Sequence, residues 1–522
     1  MKMKSILKIL VLALLSAGYG TAKDYYIDSQ LGNDDNTGTS ITNSWKSLSK
    51  VNQTLFMPGD TLNFKRGCVW FGQLKPKGSG TEGKAIVVKD YGEGELPIID
   101  GNGVIGEAVV YLHNQEYWEI TNLEIVNTSD VEADRRGVWL SGSNCGVLNH
   151  LHLKGLHIHD IYGIAGQSLA AKKTGGIYIA ITDDAEKPSR WNDVRIENCI
   201  IHDVRNSGIT TQNETTQGIH DFPPDSNDWI PRRITNLYIG NNTIYNVSKN
   251  GIIVRLADGG LVEHNLLHHT AIGSDGKGMT GNTIFSRSSK NTVFQYNEGY
   301  ANISPDFDGS LYDADLNSPG TVWQYSYSHD NAHGLFWSCT VQSDEDVVVR
   351  YNISENDMGG IITVNYPVSS MYIYNNTIYI GPHRSPIILY ERGRGDGNYR
   401  NYKFFNNLVY NKSNSASFEF NDDPKEGYVR QIYNNLFFGV NPPKMSNDHI
   451  QEDPLLVCPG NGLAAVDFND PEKLWGYKLR KESPAIDAGI LTNDNGGVDF
   501  WGSKLFEDAV DIGAHEYVKE EN

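Results

Sequence analysis

The sequence is poor in cysteine, in net positive charge and in long apolar stretches, and each shortage excludes a class of protein. Five cysteines among 522 residues are too few and too scattered for a disulfide framework or a closely spaced metal cluster. A formal net charge of −20 argues against nucleic acids and anionic membranes as partners. Helical periodicity is almost absent after the amino terminus. We therefore expect an all-β protein with buried single thiols at Cys68, Cys145, Cys199, Cys339 and Cys458.

Residues 1–22 have the pattern of a secretory signal peptide. Lys2 and Lys4 precede the apolar run from Ile6 to Leu15, and small residues follow up to Ala22. The run is too short to anchor the chain in a membrane, and no cysteine follows it that could carry a lipid. No later segment is apolar for long enough to cross a bilayer. We expect a periplasmic or secreted monomer.

Asparagine recurs at the same point of a short strand along most of the chain. The steps between successive copies are 44, 23, 32, 29, 26, 24, 31 and 28 residues. A nearly constant step with loops of variable length is typical of a solenoid, whereas a propeller needs a repeat of about 40 residues and a sandwich needs hairpin turns. Asparagine tolerates left-handed backbone angles, and its amide can bond the asparagine of the next coil. The repeat therefore predicts a parallel β-helix; its copies are Asn198, Asn242, Asn265, Asn297, Ser326, Asn352, Asn376, Asn407 and Asn435.

Both ends of the chain resemble those of secreted bacterial right-handed parallel β-helix enzymes, the polysaccharide lyases and glycoside hydrolases. The amino-terminal motifs are residues 24–28, 32–34, 38–39, Trp45 and 58–62, and the carboxy-terminal ones are residues 483–489 and 511–517. A solenoid covers its open ends with atypical repeats. The resemblance implies a polysaccharide substrate. We predict an amino-terminal cap with the first coils over 23–105, a β-helix with a catalytic face over 106–450, and a carboxy-terminal capping segment over 451–522.

Strands that follow a glycine indicate the working face. Side chains of a strand alternate between its two sides, so the first residue after the glycine and every second one share a side. This predicts inward side chains at Val138, Leu140, Ile177, Ile179, Ile252 and Val254, and outward ones at Trp139, Tyr178, Thr210, Gln212, Arg255, Asp313 and Asp315. Arg287 points outward if Ile284 points inward, and the pattern leaves open which of Phe336 and Trp337 does so. Expected sugar-binding residues are Trp139, Tyr178, Gln212, Trp337 and Arg392, with Trp229 and Arg392 at the rim.

Two chemistries compete for this face, and the family resemblance favours β-elimination from a uronic-acid glycan of the glycosaminoglycan or pectin type. Elimination needs a cation to neutralise the sugar carboxylate, a base and an acid. Arg255 and Arg287 could hold that carboxylate. The candidates for base and acid are Lys277, Tyr296, His329 and His333. A Ca²⁺ ion could bind to Asp306, Asp308, Asp313 and Asp315.

The alternative is glycoside hydrolysis by a carboxylate pair. Asp313 and Asp315 are two residues apart on one strand, so their Cα atoms lie about 6.6 Å apart. Such a pair can serve a retaining or an inverting mechanism, with Glu298 as a third candidate. A non-catalytic glycan-binding solenoid, or an epimerase, is the remaining possibility, because fold alone does not decide function.

Overall fold

The computed structural model is an all-β solenoid built from three long parallel sheets, and the prediction of a parallel β-helix is confirmed. It describes residues 21–182, 187–215, 218–219, 221–306, 308–339, 346–365, 368–392, 400–421, 424, 426–462, 470–506 and 508–518. Most of the predicted signal peptide, residues 1–20, lies outside these ranges. In each coil the chain passes through sheet A, then sheet B, then sheet C.

The strands of the three sheets are short and stack in register from coil to coil. Sheet A contains Asp24–Ile27, Thr61–Lys65, Ile86–Tyr91, Trp118–Thr121, Val147–Lys154, Arg190–Glu197, Ile234–Gly240, Ala257–Asp258, Leu261–Glu263, Val293–Gln295, Val322–Gln324, Val347–Arg350, Val368–Tyr374, Arg400–Phe405, Arg430–Tyr433 and Ser446–Asn447. Sheet B contains Val69–Phe71, Ile98–Asp100, Glu124–Asn127, His157–Ile161, Ile200–Val204, Thr243–Val247, Leu266–His268, Glu298–Tyr300, Tyr327–His329, Ile353–Glu355, Thr377–Ile380, Leu408–Asn411 and Leu436–Phe438.

Sheet C carries the predicted working face. It contains Ala108–His113, Arg136–Gly142, Gly175–Thr182, Ser207–Thr215, Gly218–Ile219, Ile252–Arg255, Ile284–Arg287, Tyr312–Ala314, Phe336–Cys339, Gly360–Asn365, Ile387–Arg392 and Ser417–Glu419. The described helices are the α-helix Leu48–Gln53 and the 3₁₀ turns Ile41–Asn43, Ala171–Lys173 and Pro471–Tyr477. None of the helices in these ranges is long and apolar enough to span a membrane.

The asparagine ladder holds the corner between sheets A and B. From Asn242 to Asn265 to Asn297, and again from Asn352 to Asn435, each side-chain amide donates to the next at 2.9–3.1 Å. The left-handed residue is the one before each ladder position, with φ of 50–56°. The prediction that the same asparagine takes both the left-handed corner and the hydrogen bond to the next coil is therefore wrong. At the first copy, Asn198 takes the left-handed corner and Cys199 takes the ladder position, where its N–H donates to Asn242 Oδ1.

A column of glycines leads into the first strands of sheet C. A Cβ on Gly137, Gly176, Gly208 or Gly251 would lie 2.7 Å from the carbonyl oxygen of the next coil. Only glycine allows the coils to stack this closely. The strands that follow send their inward residues into the core, as predicted: Val138, Leu140, Ile177, Ile179, Ile252 and Val254 are all buried.

The carboxy-terminal segment packs along the outer face of sheet B. Leu474, Tyr477 and Phe500 form an apolar cluster with Tyr379 and Leu408 of that sheet. It is also held by hydrogen bonds, since Asn375 Nδ2 donates to the carbonyl oxygens of residues 511 and 513. The segment predicted to cap the solenoid thus covers the flank of its later coils.

The five cysteines are free thiols, as expected, but they are not all buried. Cys68 and Cys199 are buried in the stack, and Cys145 and Cys339 are half-buried. Cys458 is exposed because it lies in the carboxy-terminal segment rather than in a coil.

Candidate active site

Two columns of side chains run along the outer face of sheet C, and strand register places the predicted residues in them. In the first column Trp139 neighbours Tyr178, Tyr178 neighbours Thr210, and Phe285 neighbours Asp313. Two residues further along each strand, Arg255 neighbours Arg287. The predicted alternation of side chains is correct here. It also places Arg287 outward, since Ile284 is fully buried in the core.

The same register settles the aromatic pair that the sequence left open. Phe336 neighbours Tyr312 and belongs to the core, whereas Trp337 neighbours Asp313 on the outer face. The guanidinium carbon of Arg392 lies 5.5 Å from the centre of the Trp337 ring. Trp337 therefore lies beside Asp313, with Arg392 against its ring.

An ion-pair network joins adjacent coils at the centre of this face. Arg255 Nη1 donates to Asp221 Oδ1 at 2.6 Å, and Arg287 binds both oxygens of Asp221 through Nε and Nη2 at 2.7 and 2.6 Å. Arg287 Nη1 also donates to Asp315 Oδ2 at 2.5 Å. Burial alone would raise the pKa of Asp221, but the hydrogen bond from Arg287 and the nearby positive charges lower it. The two arginines that we expected to hold a sugar carboxylate are therefore engaged by carboxylates of the protein.

Asp313 is the most perturbed carboxyl group of the network. Its side chain is buried, and Oδ2 accepts a hydrogen bond from Asn282 Nδ2 at 2.8 Å. Burial, with the negative charges of Asp315 and Asp308, raises its pKa well above the usual range. A carboxyl group that stays protonated at neutral pH can donate a proton to a leaving group.

Lysine side chains complete the charge pattern around Asp313. Burial and the charge of Lys172 lower the pKa of Lys249 to about 8, while Asp308 opposes that shift. Lys172 itself interacts with Arg255, Arg287 and Asp221, and its pKa is lowered mainly by burial. The face thus contains alternating positive and negative groups rather than a simple basic cleft.

The amino-terminal end of the face is aromatic and partly covered. Trp139 is half-buried and stacks on Tyr111 at 4.8 Å, and the Arg136 guanidinium lies 4.4 Å from the Trp139 ring. Tyr178 is 0% exposed, and its hydroxyl donates to Glu214, which also pairs with Lys173. Trp139 is therefore partly accessible to a ligand, whereas its neighbour Tyr178 on the next strand is not.

Several predicted contact residues point outward yet are buried. Trp337 is 1% exposed, and Gln212 and Arg255 are also buried. The loop segments above the sheet explain part of this: Asp221 covers Arg255, and Trp229 anchors its loop by donating from Nε1 to the Ser288 carbonyl at 2.7 Å. Trp229 was predicted at the rim, and that prediction is wrong because the side chain is fully buried.

Several buried polar atoms that lack a hydrogen-bond partner in the described part of the chain lie on this face. They include Trp139 Nε1, Gln212 Oε1, Arg255 Nε, Asp313 Oδ1 and Asn365 Oδ1. Leaving such an atom unpaired costs about 1–3 kcal/mol, so native proteins keep few of them. A row of five on one face is what a site for a hydroxyl-rich ligand would present.

Three predicted catalytic residues lie elsewhere. Lys277 is in an exposed loop, with its side chain 83% accessible and its Nζ paired with Asp275 at 3.0 Å. Tyr296 stacks between His264 and Tyr325 at the corner of sheets A and B. Each coil contributes strands to three sheets. Residues that are close in sequence to Asp313 therefore do not all lie on sheet C.

His329 is likewise on sheet B and not in the site. Its ring stacks between those of Tyr300 and Tyr327, and its nitrogens contact Glu298 at 3.2 Å and Asp330 at 3.1 Å. Burial alone would lower the pKa of His329, but the hydrogen bonds to Asp330 and Glu298 raise it to about 9. His329 and Glu298 thus form a buried pair on sheet B, away from Asp313, and the catalytic role predicted for His329 and weighed for Glu298 stays a prediction without support from the geometry.

His333 and Asp306 lie at the edge of the site. The His333 ring fills the space beside Gly309 and Gly359, where a Cβ would come within 2.6 and 2.1 Å of ring atoms. Burial lowers the pKa of His333 to about 4. Asp306 accepts hydrogen bonds from Thr280 Oγ1 at 2.6 Å and Ser304 Oγ at 3.1 Å.

The four aspartates proposed for Ca²⁺ do not form a cage. Asp306, Asp313 and Asp315 bind separate partners, as described above. Among the described residues, groups of three metal-ligating side chains with donor atoms within 4.8 Å occur at Glu119, His150 and His152 and at Glu124, His157 and His159, not at these aspartates. Calcium binding stays a prediction without support from the geometry.

Residues of the site that were missed from the sequence include Asn282, Lys172, Glu214 and Asp221. Lys172 and Asp221 lie in insertions between strands, where no periodicity reveals orientation. Glu214 lies on the strand Ser207–Thr215, two residues beyond Gln212, and the alternation that gave Gln212 could have found it.

Comparison with known proteins finds a similar sequence and similar solved structures. No protein-family model matches the sequence. The lacto-N-biosidase of Bifidobacterium longum subsp. longum is 27% identical over an alignment of 565 residues, which covers 90% of this chain and 34% of the relative. The chain thus spans about a third of the length of that curated relative.

The fold also occurs in solved structures. The GH136 lacto-N-biosidase from Eubacterium ramulus superimposes with a TM-score of 0.61 and 25% identity, over 76% of this chain and 68% of that one. XylC in complex with xylose superimposes with a TM-score of 0.55 and 14% identity, over 95% and 98% of the two chains. The β-helix of this protein is therefore one on which lacto-N-biosidases are built.

Proposed function

We propose that the protein is a glycoside hydrolase that acts on glycans containing lacto-N-biose, with Asp313 as the general acid. The observation that carries the proposal is the buried Asp313, whose pKa is raised by burial and by neighbouring carboxylates and whose Oδ1 has no hydrogen-bond partner within the described chain. A second carboxylate is needed opposite the acid. Asp308 and Asp315, whose charges both raise the pKa of Asp313, are the candidates for it.

The charge pattern supports a neutral sugar rather than a uronic acid. Arg255 and Arg287 already bind Asp221 and Asp315, so they are poorly placed to hold a substrate carboxylate. The relatives named lacto-N-biosidase also favour hydrolysis. The lyase interpretation that the sequence favoured is thus less well supported than its alternative.

Substrate profiling tests the proposal directly. The purified protein is incubated with lacto-N-biose-containing oligosaccharides, with an aryl lacto-N-bioside and with uronic-acid polysaccharides. We expect new reducing ends from the first two substrates. Unsaturated uronides from the third, with no hydrolysis of the others, would overturn the proposal and restore elimination.

Variants then assign the roles of the carboxyl groups. Asp313→Asn should lower kcat on the natural glycan by roughly 10²–10⁴-fold, because proton donation to the leaving oxygen is lost. It should retain more activity on an aryl glycoside whose leaving group needs no proton. Asp308→Asn and Asp315→Asn are compared on the same aryl glycoside, where loss of the nucleophile or base still abolishes turnover. Asp275→Asn, in the exposed loop, is the matched control.

A further inference from the structure

Two histidines and two acidic residues meet on the outer face of sheet A, on a different sheet from the candidate active site. His150 and His152 lie on the strand Val147–Lys154, Glu119 on the strand before it in the stack and Asp193 on the strand after it. His152 is in register with Glu119, while Leu151 and Leu153 point into the core. His150 and Asp193 both have left-handed backbones, with φ of 55° and 60°. These bulges bring the four side chains together.

The donor atoms of this cluster are close to one another. His150 Nε2 lies 3.0 Å from Glu119 Oε1, and His152 Nε2 lies 3.1 Å from Asp193 Oδ1. The two imidazole centres are 3.9 Å apart. The ligand atoms of Glu119, His150 and His152 all fall within 4.8 Å of one another. With metal–ligand bonds of about 2.0–2.2 Å, the edges of a zinc tetrahedron are roughly 3.3 Å long, so small side-chain shifts would suffice.

We propose that Glu119, His150, His152 and Asp193 form a binding site for a divalent transition metal of the Zn²⁺ type. Two imidazoles with carboxylates are a donor set that Zn²⁺ uses in proteins. Asp193 also supports the ligands, since its Oδ2 lies 2.8 Å from His150 Nδ1 and fixes the orientation of that ring. A carboxylate on the far nitrogen of a ligating histidine is a recurrent feature of metal sites.

The surroundings of the cluster allow a metal to enter. Glu119, His150 and Asp193 line an open cavity of about 610 Å³ whose wall also contains Glu82 and Tyr117. The four proposed ligand side chains are each 23–38% exposed, so water reaches them. Glu82 adds negative charge to the wall and Lys84 adds positive charge, so the carboxylates of Glu119 and Asp193 supply the net negative charge that favours a cation over an anion.

The metal would have a structural role. Its ligands come from three successive strands of sheet A, so one ion would connect three coils of the solenoid. Because coils of a solenoid are stabilised only by their neighbours, such a connection strengthens the stack locally. Binding to the folded protein alone raises its stability in proportion to the logarithm of the metal concentration over Kd.

Equilibrium dialysis of the full-length, tag-free protein against Zn²⁺ tests the site. After chelator treatment we expect one bound Zn²⁺ per chain and a higher Tm with the metal than without it. Co²⁺ in place of Zn²⁺ should give the visible spectrum of a tetrahedral nitrogen–oxygen site. The double variant His150→Gln/His152→Gln should lose at least 100-fold in affinity, and Asp193→Asn should lose about 10–100-fold.

The second histidine cluster supplies a matched control. His157 and His159 lie on the next strand of the same coil beside Glu124, so His157→Gln/His159→Gln removes the same residue types from sheet B. Zn²⁺ binding at the proposed site should persist in this variant, and far-UV circular dichroism should show that both variants fold. Absence of binding by the wild type, undiminished binding by His150→Gln/His152→Gln, or loss of binding only in the control would overturn the proposal. If the double variant does not fold, the same comparison is made with Asp193→Asn.

Discussion

Asp313 reduces the stability of the folded protein at neutral pH. In the folded protein, burial and the charges of Asp315 and Asp308 raise the pKa of Asp313. In the unfolded chain the Asp313 carboxyl has its ordinary pKa and is protonated only below about pH 4. The stability that the protonated form provides is therefore complete at low pH and is lost as pH rises towards the folded pKa. Asp313→Asn removes this effect and should raise Tm by about 1–3 °C at pH 7 relative to the wild type. The difference should shrink at pH 4; a lower Tm than the wild type at both pH values would contradict it.

Ser326 interrupts the asparagine ladder, and Tyr312 compensates for it. The Tyr312 hydroxyl lies 2.5 Å from Ser326 Oγ and accepts a hydrogen bond from Asn297 Nδ2 at 3.0 Å, as a ladder amide would. Ser326→Asn should therefore cost about 1–3 kcal/mol, because the larger side chain meets the hydroxyl. Tyr312→Phe alone should cost a similar amount, because Asn297 loses its acceptor.

The double variant separates this explanation from simple overpacking. In Ser326→Asn/Tyr312→Phe the new amide can bond Asn297 and Asn352 as its neighbours in the ladder do. Urea unfolding should therefore show a double variant less destabilised than the sum of the single ones, by about 0.5–3 kcal/mol. Additive losses would mean that Tyr312 does not take the place of the missing asparagine.

At the scale of the strand, the glycine column allows neighbouring coils to stack closely. A Cβ on Gly208 would lie 2.7 Å from the Gly251 carbonyl oxygen and 2.8 Å from a methyl group of Ile244. Gly208→Ala should destabilise the protein by about 1–3 kcal/mol, measured by urea unfolding. Gly260→Ala is the control, because its nearest neighbours are side-chain atoms at 3.3 Å. Equal effects at the two positions would show that the column itself does not matter.

Strand orientation was predictable from the sequence, whereas exposure and site membership were not. Alternation gave the outward positions of Trp139, Arg255 and Asp313 because a strand repeats every two residues whatever covers it. The cover comes from insertions without periodicity, so nothing in the sequence predicted Asp221 above Arg255 or the burial of Trp337. His329 was assigned to the wrong face because strands of sheets B and C carry similar polar patterns.

At the scale of the whole molecule, the carboxy-terminal segment ties the later coils together by contacts across more than 80 residues of sequence. Asn406 Nδ2 donates to the Ile490 carbonyl at 2.9 Å and its Oδ1 accepts from Ile490 N at 3.0 Å, while Asn375 binds residues 511 and 513. Both asparagines are left-handed corner residues, so glycine keeps the backbone conformation and removes only the side-chain contacts.

The double variant Asn375→Gly/Asn406→Gly should therefore loosen the segment and keep the corner backbone, while it also removes the hydrogen bonds that join Asn375, Asn406 and Asn434. Each lost hydrogen bond that leaves a buried carbonyl unpaired costs about 1–3 kcal/mol. Hydrogen exchange should become faster over residues 485–515 and stay unchanged in sheet C. Asn198→Gly, at an exposed corner with φ of 56°, is the control and should leave exchange in that segment unaltered. If both variants behave alike, the apolar cluster around Tyr477 and Phe500 holds the segment by itself, and the asparagines serve only the corners.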